Sequence, residues 1–300
     1  MSIEYFHSDD TKLAYRWFPV DNAKGTVICY HGSSLTSVRY TTLARLINRS
    51  GYNVCLPDWR GHGESGGAPG DIEYVGQLEQ DVGNLIEHLS TQSKVPIILG
   101  GHSGGSLIAL RYLNQFGCDK ITAYFSLSPT MMEFSETSRY DKSKGDFVYR
   151  IKYARRRPYF RQMPKQAGRY LPKLSRWKFL IALFIPFFRK LKVLNFPAVV
   201  QASPNEAMSY SFRLLQGYSV RNYPELLSSI NVPSFFCVGD NDDVISSQAL
   251  EMLYSWYVKP NTFSHFEILP RLNHMSVISG AGKTLGDWLK GISSTERRAA

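Results

Sequence analysis

Residues 95–110, VPIILGGHSGGSLIAL, are the most informative about the fold class, because a strand pattern, a glycine-rich turn and a helix pattern follow one another there without a break. Its first eight residues form an apolar run that predicts a buried strand, and the apolar residues after the turn predict a helix. The turn holds a G-x-S-x-G motif at Gly101, Ser103 and Gly105, and glycine at both flanks leaves room for a sharp turn. Ser103 is therefore expected at a helix start, where free backbone N–H groups stabilise a developing negative charge.

Strand and helix patterns alternate on both sides of this stretch. The polar turn SDDTK, between two strand patterns, predicts a hairpin over residues 3–20. Apolar strands separated by helices predict an α/β fold, with a mostly parallel sheet covered by helices on both faces. The further predicted strands are TVICYHG (26–32), YNVCLPD (52–58), ITAYFSLSP (121–129), PSFFCVGD (233–240) and FSHFEILP (263–270), and the further predicted helices cover residues 37–50, 72–92, 246–257 and 275–291.

The alternation stops in the middle of the chain. We interpret residues 1–129 and 231–300 as one core, and residues 130–230 as a helical, strongly basic cap (lid) that we call the cap insertion. Residues 139–192 carry 17 Lys and Arg against two acids, whereas the remaining 246 residues carry 18 basic and 23 acidic side chains. The net charge of +10 therefore belongs to the cap insertion.

The composition fits a globular protein with a sizeable core. The chain has 300 residues, of which 43% are hydrophobic and 20% charged, and these values exclude disorder, collagen and a coiled coil as descriptions of the whole chain. Four cysteines are too few for a disulfide-built scaffold and show no metal-ligand spacing. We therefore expect buried reduced thiols and no metal.

The sequence also gives expectations about binding partners and cellular location. No nucleic-acid-binding module is recognisable, so no nucleic-acid partner is expected. The first ten residues, MSIEYFHSDD, lack the basic start and the apolar stretch of a signal peptide. The expected location is the cytoplasm, and a peripheral contact with membranes stays open.

A base and an acid for Ser103 are expected after later strands. A serine hydroxyl is a poor nucleophile unless a base takes its proton, and this type of turn is followed by an acid and then a histidine along the chain. Asp242 and His274 each follow an apolar strand, at the sheet edge where ligands bind. Asp240 and Asp243 are neighbouring alternatives for the acid. His265 competes as the base, although it lies inside a strand pattern.

Two backbone N–H groups are expected to stabilise an oxyanion. One belongs to Gly104, the residue after the serine, and the other to Ser33 in the loop after the first buried strand. His31, His62 and His102 flank glycines in tight loops, and we expect them to be hydrogen-bonded structural histidines rather than ligands.

Five motifs occur in order along the chain: HGSS (31–34), DWRGHGES (58–65), GHSGG (101–105), GDNDDV (239–244) and NHM (273–275). This is the order found in the α/β-hydrolase superfamily, and the chain resembles its lysophospholipase and monoacylglycerol lipase branch over residues 3–129 and 232–292. The resemblance implies the α/β-hydrolase fold, a Ser–Asp–His triad, no cofactor, and structural roles for Asp58 and Arg60. The family's acid usually stands three residues after the glycine, which selects Asp242 from Gly239.

The chain departs from the branch at three places. Position 104 is Gly where the branch usually has a larger residue such as Met, and position 273 is Asn where Gly commonly precedes the histidine. The third departure is the length and basic charge of the cap insertion.

The expected function is that of a serine hydrolase, which forms an acyl-enzyme on Ser103 and cleaves an ester or thioester of an apolar acyl substrate. One alternative keeps the triad and cleaves a carbon–carbon bond in a β-diketone or polyketide-type chain. Another is a non-catalytic module that binds a ligand or a membrane.

The apolar segment WKFLIALFIPFF (177–188) within the cap insertion has three interpretations. It is too short to span a bilayer. With its basic neighbours it resembles segments that lie on anionic membranes. A second interpretation is a lid over an acyl chain, whose charges attract an anionic head group. A third is a helix packed on the core with a solvated basic face.

Overall fold

The computed structural model describes residues 1–130, 172–198, 203–220 and 222–299. Its strands are β1 (Ser2–Ser8), β2 (Thr11–Phe18), β3 (Thr26–Tyr30), β4 (Asn53–Pro57), β5 (Ile97–His102), β6 (Ala123–Leu127), β7 (Lys173–Leu174), β8 (Lys192–Asn195), β9 (Ser209–Ser211), β10 (Ser234–Gly239) and β11 (His265–Leu269). Its α-helices are α1 (Thr41–Asn48), α2 (Gln77–Gln92), α3 (Gly104–Phe116), α4 (Arg176–Phe184), α5 (Phe212–Tyr218), α6 (Tyr223–Ser228), α7 (Ser247–Tyr257), α8 (Val277–Gly280) and α9 (Gly282–Ala299).

Eight strands form the central sheet in the order β1-β2-β4-β3-β5-β6-β10-β11. Strands β1 and β2 form the predicted hairpin, and β2 also pairs antiparallel with β4. The remaining pairs, from β4 through β3, β5, β6 and β10 to β11, are parallel. The predicted α/β class with a mostly parallel sheet is therefore confirmed.

Side chains of the sheet alternate between two apolar cores, one on each face. In β3, Val27 and Cys29 pack on one face with residues of α1 and α9, whereas Ile28 packs on the other face with residues of α2 and α3. All five residues of β3 are buried, as expected for a strand covered on both sides. The predicted two-sided cover of the sheet is thus present.

Two predicted helices begin later than expected. Helix α1 follows a 3₁₀ turn at Ser37–Tyr40, and α2 begins at Gln77 rather than at residue 72. Gly76 precedes α2 with a φ of 109°, a conformation that L side chains rarely adopt, so the helical path starts only after it. Ile72 lies in the loop before α2, and its side chain is buried in the core. This explains why its position in the sequence fitted the helical spacing of the apolar residues in α2.

The described part of the cap insertion leaves the central sheet and forms a small antiparallel sheet, β7-β8-β9. Ala182 of α4, Val193 of β8 and Phe212 of α5 form a small core of their own. We predicted only helices here, because strands of two to four residues are too short to show a recognisable period. Residues 139–171 of the basic segment lie outside the described residues, and the boundaries of the cap insertion stay a prediction.

The parallel sheet brings four loops to one edge. The loops after β3, β5, β10 and β11 all leave the carboxyl ends of their strands, and these strands lie within the parallel part of the sheet. Open α/β sheets bind their ligands at this edge. Ser33, Ser103, Asp242 and His274 each lie in one of these loops.

None of the helices in the described ranges is long and apolar enough to cross a membrane. The cytoplasmic location stays a prediction.

Candidate active site

Ser103 occupies a strained turn between β5 and α3. Its φ of 51° and ψ of −123° are rare for a residue with a side chain. A Cβ atom on Gly101 would lie 2.6 Å from the carbonyl oxygen of Tyr30, and one on Gly105 would overlap the carbonyl oxygen of His31. Only glycine therefore fits at both flanks. This is the strand–turn–helix geometry of a nucleophile elbow.

The three predicted side chains lie in one hydrogen-bonded row. The Nε2 atom of His274 is 3.0 Å from Oγ of Ser103, and its Nδ1 atom is 3.0 Å from Oδ2 of Asp242. Because an ionised carboxylate only accepts hydrogen bonds, Nδ1 carries the imidazole proton. Nε2 is then free to accept the proton of the Ser103 hydroxyl.

Backbone donors hold Asp242 in its ionised form. Its Oδ1 atom accepts hydrogen bonds from the amides of Val244 and Ile245, at 2.9 and 2.7 Å. Burial raises the pKa of this carboxyl group, but His274 and the two amides outweigh burial and hold the pKa below its ordinary value. Asp242 is therefore a fixed negative charge behind the imidazole.

The alternative residues lie elsewhere. Asp243 accepts a hydrogen bond of 3.4 Å from the backbone amide of His274, and Asp240 is exposed. His265 is exposed on β11 and pairs with Glu267 at 3.2 Å. Of the candidates weighed from the sequence, Asp242 and His274 are thus the two that the structure brings together with Ser103.

The imidazole of His274 is tuned by two opposing effects. Burial lowers its pKa, but the Asp242 carboxylate outweighs burial, so the pKa of His274 is raised above its ordinary value of 6.5. A base that accepts a proton from serine must be neutral at the start of the reaction. Activity that depends on this base should therefore decline as the pH falls through the raised pKa.

A neutral histidine ties the His274 loop to the loop after β3. Burial lowers the pKa of His102 to about 3, so its ring carries a single proton. The Nε2–H group of His102 donates to the His274 carbonyl at 2.9 Å, and its Nδ1 atom accepts from the Tyr40 hydroxyl at 2.8 Å. The Tyr40 oxygen in turn accepts from the Gly32 amide at 2.8 Å. His102 therefore has the structural role that we predicted.

Gly104 lies directly against Ser33. A Cβ atom on Gly104 would overlap the Ser33 hydroxyl, and it would lie 3.2 Å from the Trp59 ring and 3.5 Å from the Ser33 amide nitrogen. A residue as large as Met therefore does not fit at position 104, which explains this departure from the branch. Gly104 is also the first residue of α3, so its amide has no acceptor within the helix.

The second departure, Asn273, forms a turn that opens α8. Its side-chain oxygen accepts hydrogen bonds from the amides of Met275 and Ser276, at 3.1 and 2.8 Å. Such Asx turns fix the backbone without the freedom of glycine. Asn273 thus holds the loop that presents His274.

Asp58 and Arg60 lie inside the core rather than at the serine. Asp58 accepts hydrogen bonds from the amides of Ser37 and Glu64, at 2.7 and 3.1 Å. Arg60 forms a two-pronged ion pair with Asp81, with N···O distances of 3.0 and 2.6 Å. These contacts agree with the structural roles implied by the resemblance.

The cap insertion is joined to the core by partly buried polar contacts that we did not predict. Glu206 pairs with Arg39 through two hydrogen bonds of 2.6 and 3.1 Å. Arg213 pairs with Asp71 through two more, of 2.8 and 2.7 Å. Tyr210, which lies between Glu206 and Arg213 in sequence, accepts a hydrogen bond from the backbone amide of Ser34 in the loop after β3. No motif or periodicity marks Glu206, Tyr210 or Arg213 in the sequence.

Another part of the cap insertion exposes large apolar side chains. Helix α4 and the 3₁₀ turn at Pro186–Lys190 form what we call the aromatic surface, on which Trp177, Phe184 and Phe187 are 63%, 76% and 75% exposed. The ammonium groups of Lys178 and Lys190 lie 5.5 and 5.4 Å from the centroids of neighbouring aromatic rings. The segment singled out in the sequence therefore presents apolar rings and positive charge together.

The described residues hold no group of three or more His, Cys, Asp or Glu side chains arranged to bind a metal ion. Three of the four cysteines are buried, as predicted, and all four are free thiols.

Sequence comparisons find similarity between the amino-terminal half of the chain and known hydrolases. Residues 21–156 match the family described as serine aminopeptidase, S33. The chain is 30% identical to phospholipase YtpA of Bacillus subtilis over 111 residues, which are 37% of this chain and 42% of that protein. It is 31% identical to human monoglyceride lipase over 98 residues, 31% of each chain. The chain thus spans less than half the length of these curated relatives.

Structural comparison extends the similarity to nearly the whole chain. A crystal structure of a soluble variant of monoglyceride lipase from Saccharomyces cerevisiae matches with a TM-score of 0.68 and 16% identity, and covers 96% of this chain and 94% of that one. At this identity the match establishes the fold. The chain therefore has the α/β-hydrolase fold. Its motifs and its sequence matches resemble those of the monoacylglycerol lipase-like branch.

Proposed function

We propose that this chain is a serine hydrolase that cleaves an ester or thioester of an apolar acyl group through an acyl-enzyme on Ser103. The observation that carries the proposal is the hydrogen-bonded row from Ser103 through His274 to Asp242, with the serine on a strained elbow. A binding module has no need for an imidazole aligned on a serine hydroxyl. The non-catalytic alternative therefore has less support.

The first half of the proposed reaction forms the acyl-enzyme. Oγ of Ser103 attacks the acyl carbonyl carbon while Nε2 of His274 takes the hydroxyl proton. The negative charge on the carbonyl oxygen is stabilised by the amides of Ser33 and Gly104. Collapse of the tetrahedral intermediate breaks the bond to the leaving oxygen or sulfur, which receives the proton from His274.

The second half releases the acid. A water molecule gives a proton to Nε2 of His274 and attacks the acyl carbon, and the same two amides stabilise the second oxyanion. The bond to Ser103 Oγ then breaks, and the serine regains its proton from His274. Asp242 keeps the imidazole in the required tautomer throughout and stabilises its positive charge.

Two observations indicate the substrate class. The relatives that match this chain include proteins named phospholipase and monoglyceride lipase. The cap insertion combines exposed apolar rings with an excess of Lys and Arg. Both observations favour an apolar acyl chain, and the excess of positive charge favours an anionic head group.

A panel of p-nitrophenyl esters from acetyl to palmitoyl tests the proposal, together with a fluorophosphonate probe and peptide mapping of the label. We expect turnover with a chain-length optimum beyond acetyl and a label on Ser103. A label on Ser103 without turnover of any ester would contradict simple ester hydrolysis and favour thioester or carbon–carbon substrates, which product identification separates. Absence of both label and turnover would contradict the serine hydrolase itself.

We also propose that the aromatic surface contacts anionic membranes. Exposed Trp and Phe rings beside Lys and Arg side chains are typical of segments that lie in the bilayer interface. Phe184 and Phe187 are each about three-quarters exposed, on a helix and a turn that are too short to span a bilayer. The charge of the neighbouring side chains favours anionic lipids over neutral ones.

Replacing Phe184 and Phe187 together by Ser should weaken binding to vesicles that contain phosphatidylglycerol at least about tenfold. The variant no longer transfers two large apolar side chains from water into the bilayer interface. Sedimentation with vesicles measures the bound fraction. The control is Phe116→Ser, since Phe116 is 51% exposed on α3, outside the aromatic surface. Equal binding of all variants, or equal binding to pure phosphatidylcholine vesicles, would contradict this proposal and leave the hydrolase unaffected.

A further inference from the structure

Tyr210 of the cap insertion is buried against the loop that carries Ser33. It lies in β9, and its hydroxyl oxygen accepts a hydrogen bond of 2.6 Å from the backbone amide of Ser34. The ring has no exposed surface. A residue 176 positions away in sequence is thus joined to the backbone of this loop.

The direction of these hydrogen bonds follows from His62. Nδ1 of His62 lies 3.0 Å from the carbonyl oxygen of Arg60, which only accepts, so Nδ1 carries a proton. Burial lowers the pKa of His62 to about 3, so the ring is neutral and Nε2 is an acceptor. The Tyr210 hydroxyl therefore donates its proton to Nε2 at 2.8 Å, and its oxygen accepts the hydrogen bond from the Ser34 amide.

The backbone that receives this contact is strained. Ser34 has a φ of 63°, in the left-handed region that few residues other than glycine adopt. Such conformations persist only where surrounding contacts hold them. The Ser34 amide belongs to the peptide group that follows Ser33, so the Tyr210 contact also fixes the orientation of Ser33.

We propose that Tyr210 is a positioning residue of the oxyanion hole, which holds the Ser33 amide in place through Ser34. The inference rests on the proposed function, in which the Ser33 amide stabilises the oxyanion. An N–H donor acts through its placement at the position where charge develops, and small displacements weaken it strongly. The cap insertion thereby contributes to the transition state as well as to the substrate pocket.

Tyr210→Phe tests the inference, because it keeps the buried ring and removes only the hydroxyl. Tyr52→Phe is the matched control, since Tyr52 is also a buried tyrosine whose hydroxyl bonds a backbone group, the carbonyl of Leu289, at 2.8 Å. For the best p-nitrophenyl ester, we expect kcat to fall about ten- to a hundredfold in Tyr210→Phe and KM to stay within about twofold of the wild type. The oxyanion is absent from the bound substrate and forms only in the transition state and the tetrahedral intermediate, so a weaker oxyanion hole lowers kcat rather than substrate binding. Tyr52→Phe should keep the wild-type kcat.

Hydrogen exchange followed by mass spectrometry gives a readout that does not depend on turnover. The peptide that covers residues 31–40 should exchange faster in Tyr210→Phe than in the wild type, and Tyr52→Phe should leave it unchanged. A wild-type kcat in Tyr210→Phe, or a loss of activity equal to that of Tyr52→Phe, would overturn the inference while the hydrolase stands. A wild type that neither turns over esters nor reacts with the fluorophosphonate would contradict the proposed function, and this inference with it.

Discussion

Replacing Ser103 by Ala should lower kcat for the best ester about 10⁶-fold and abolish labelling by the fluorophosphonate. Loss of the nucleophile in triad hydrolases has an effect of this size, and what remains reflects binding and the oxyanion hole. The variant should fold, because Ala adopts the turn no worse than Ser and the flanking glycines are kept. Steady-state kinetics with the p-nitrophenyl panel measures the change.

The control for this variant is Ser247→Ala. Ser247 is another buried serine, at the start of α7, and its hydroxyl contacts the Gln248 side chain at 3.2 Å. It should keep the wild-type rate and the label. Residual turnover in Ser103→Ala within a hundredfold of the wild type would mean that another group attacks the substrate, and the proposed acyl-enzyme would have to be abandoned.

Asp242→Asn should lower kcat by about 10⁴-fold with little change in structure. An amide in place of the carboxylate no longer fixes the proton on Nδ1 of His274, so the tautomer that accepts the Ser103 proton is lost, as in other triads. The pH profile supplies a second measurement. In the wild type Asp242 raises the pKa of His274 above 6.5, so kcat/KM should fall as the pH drops through that raised value.

Without the carboxylate, burial remains as the main influence on the imidazole and lowers its pKa, so the acid limb of the profile should move to lower pH. Asp243→Asn is the matched control, because Asp243 bonds the His274 amide rather than the ring. It should change kcat less than about tenfold. If Asp243→Asn were the more damaging change, the acid of the triad would be misassigned.

The elbow and the sheet were predictable because their signals are local. A glycine two positions before and after Ser103 is required by close backbone approaches within one turn, and an unbroken apolar strand precedes it. Asp242 and His274 could be placed because each follows directly on a strand of the same sheet edge. Their catalytic roles, and those of Ser33 and Gly104, stay predictions that the variants above address.

The rest could not be predicted because it depends on contacts between distant segments. Tyr210 and Glu206 lie in a part of the chain without alternation or motif, and their partners Ser34 and Arg39 are more than 160 residues away. The small sheet of the cap insertion was missed because its strands are too short to show a period, and the start of α2 because Ile72 is buried in the loop before the helix. Short or irregular elements are set by packing against the core, and periodicity carries no trace of that packing.

The contact between Tyr210 and Ser34 has a consequence for evolution and for protein engineering. Replacing the cap insertion by that of another protein of this fold is one route to a new substrate, because a fold can be kept while its binding site is changed. In this chain the exchange would also remove the phenol that secures an amide next to the nucleophile. An exchanged cap insertion that lacks a tyrosine at this place should therefore lower kcat whatever substrate its pocket accepts. Substrate selectivity and kcat would then have to be changed together.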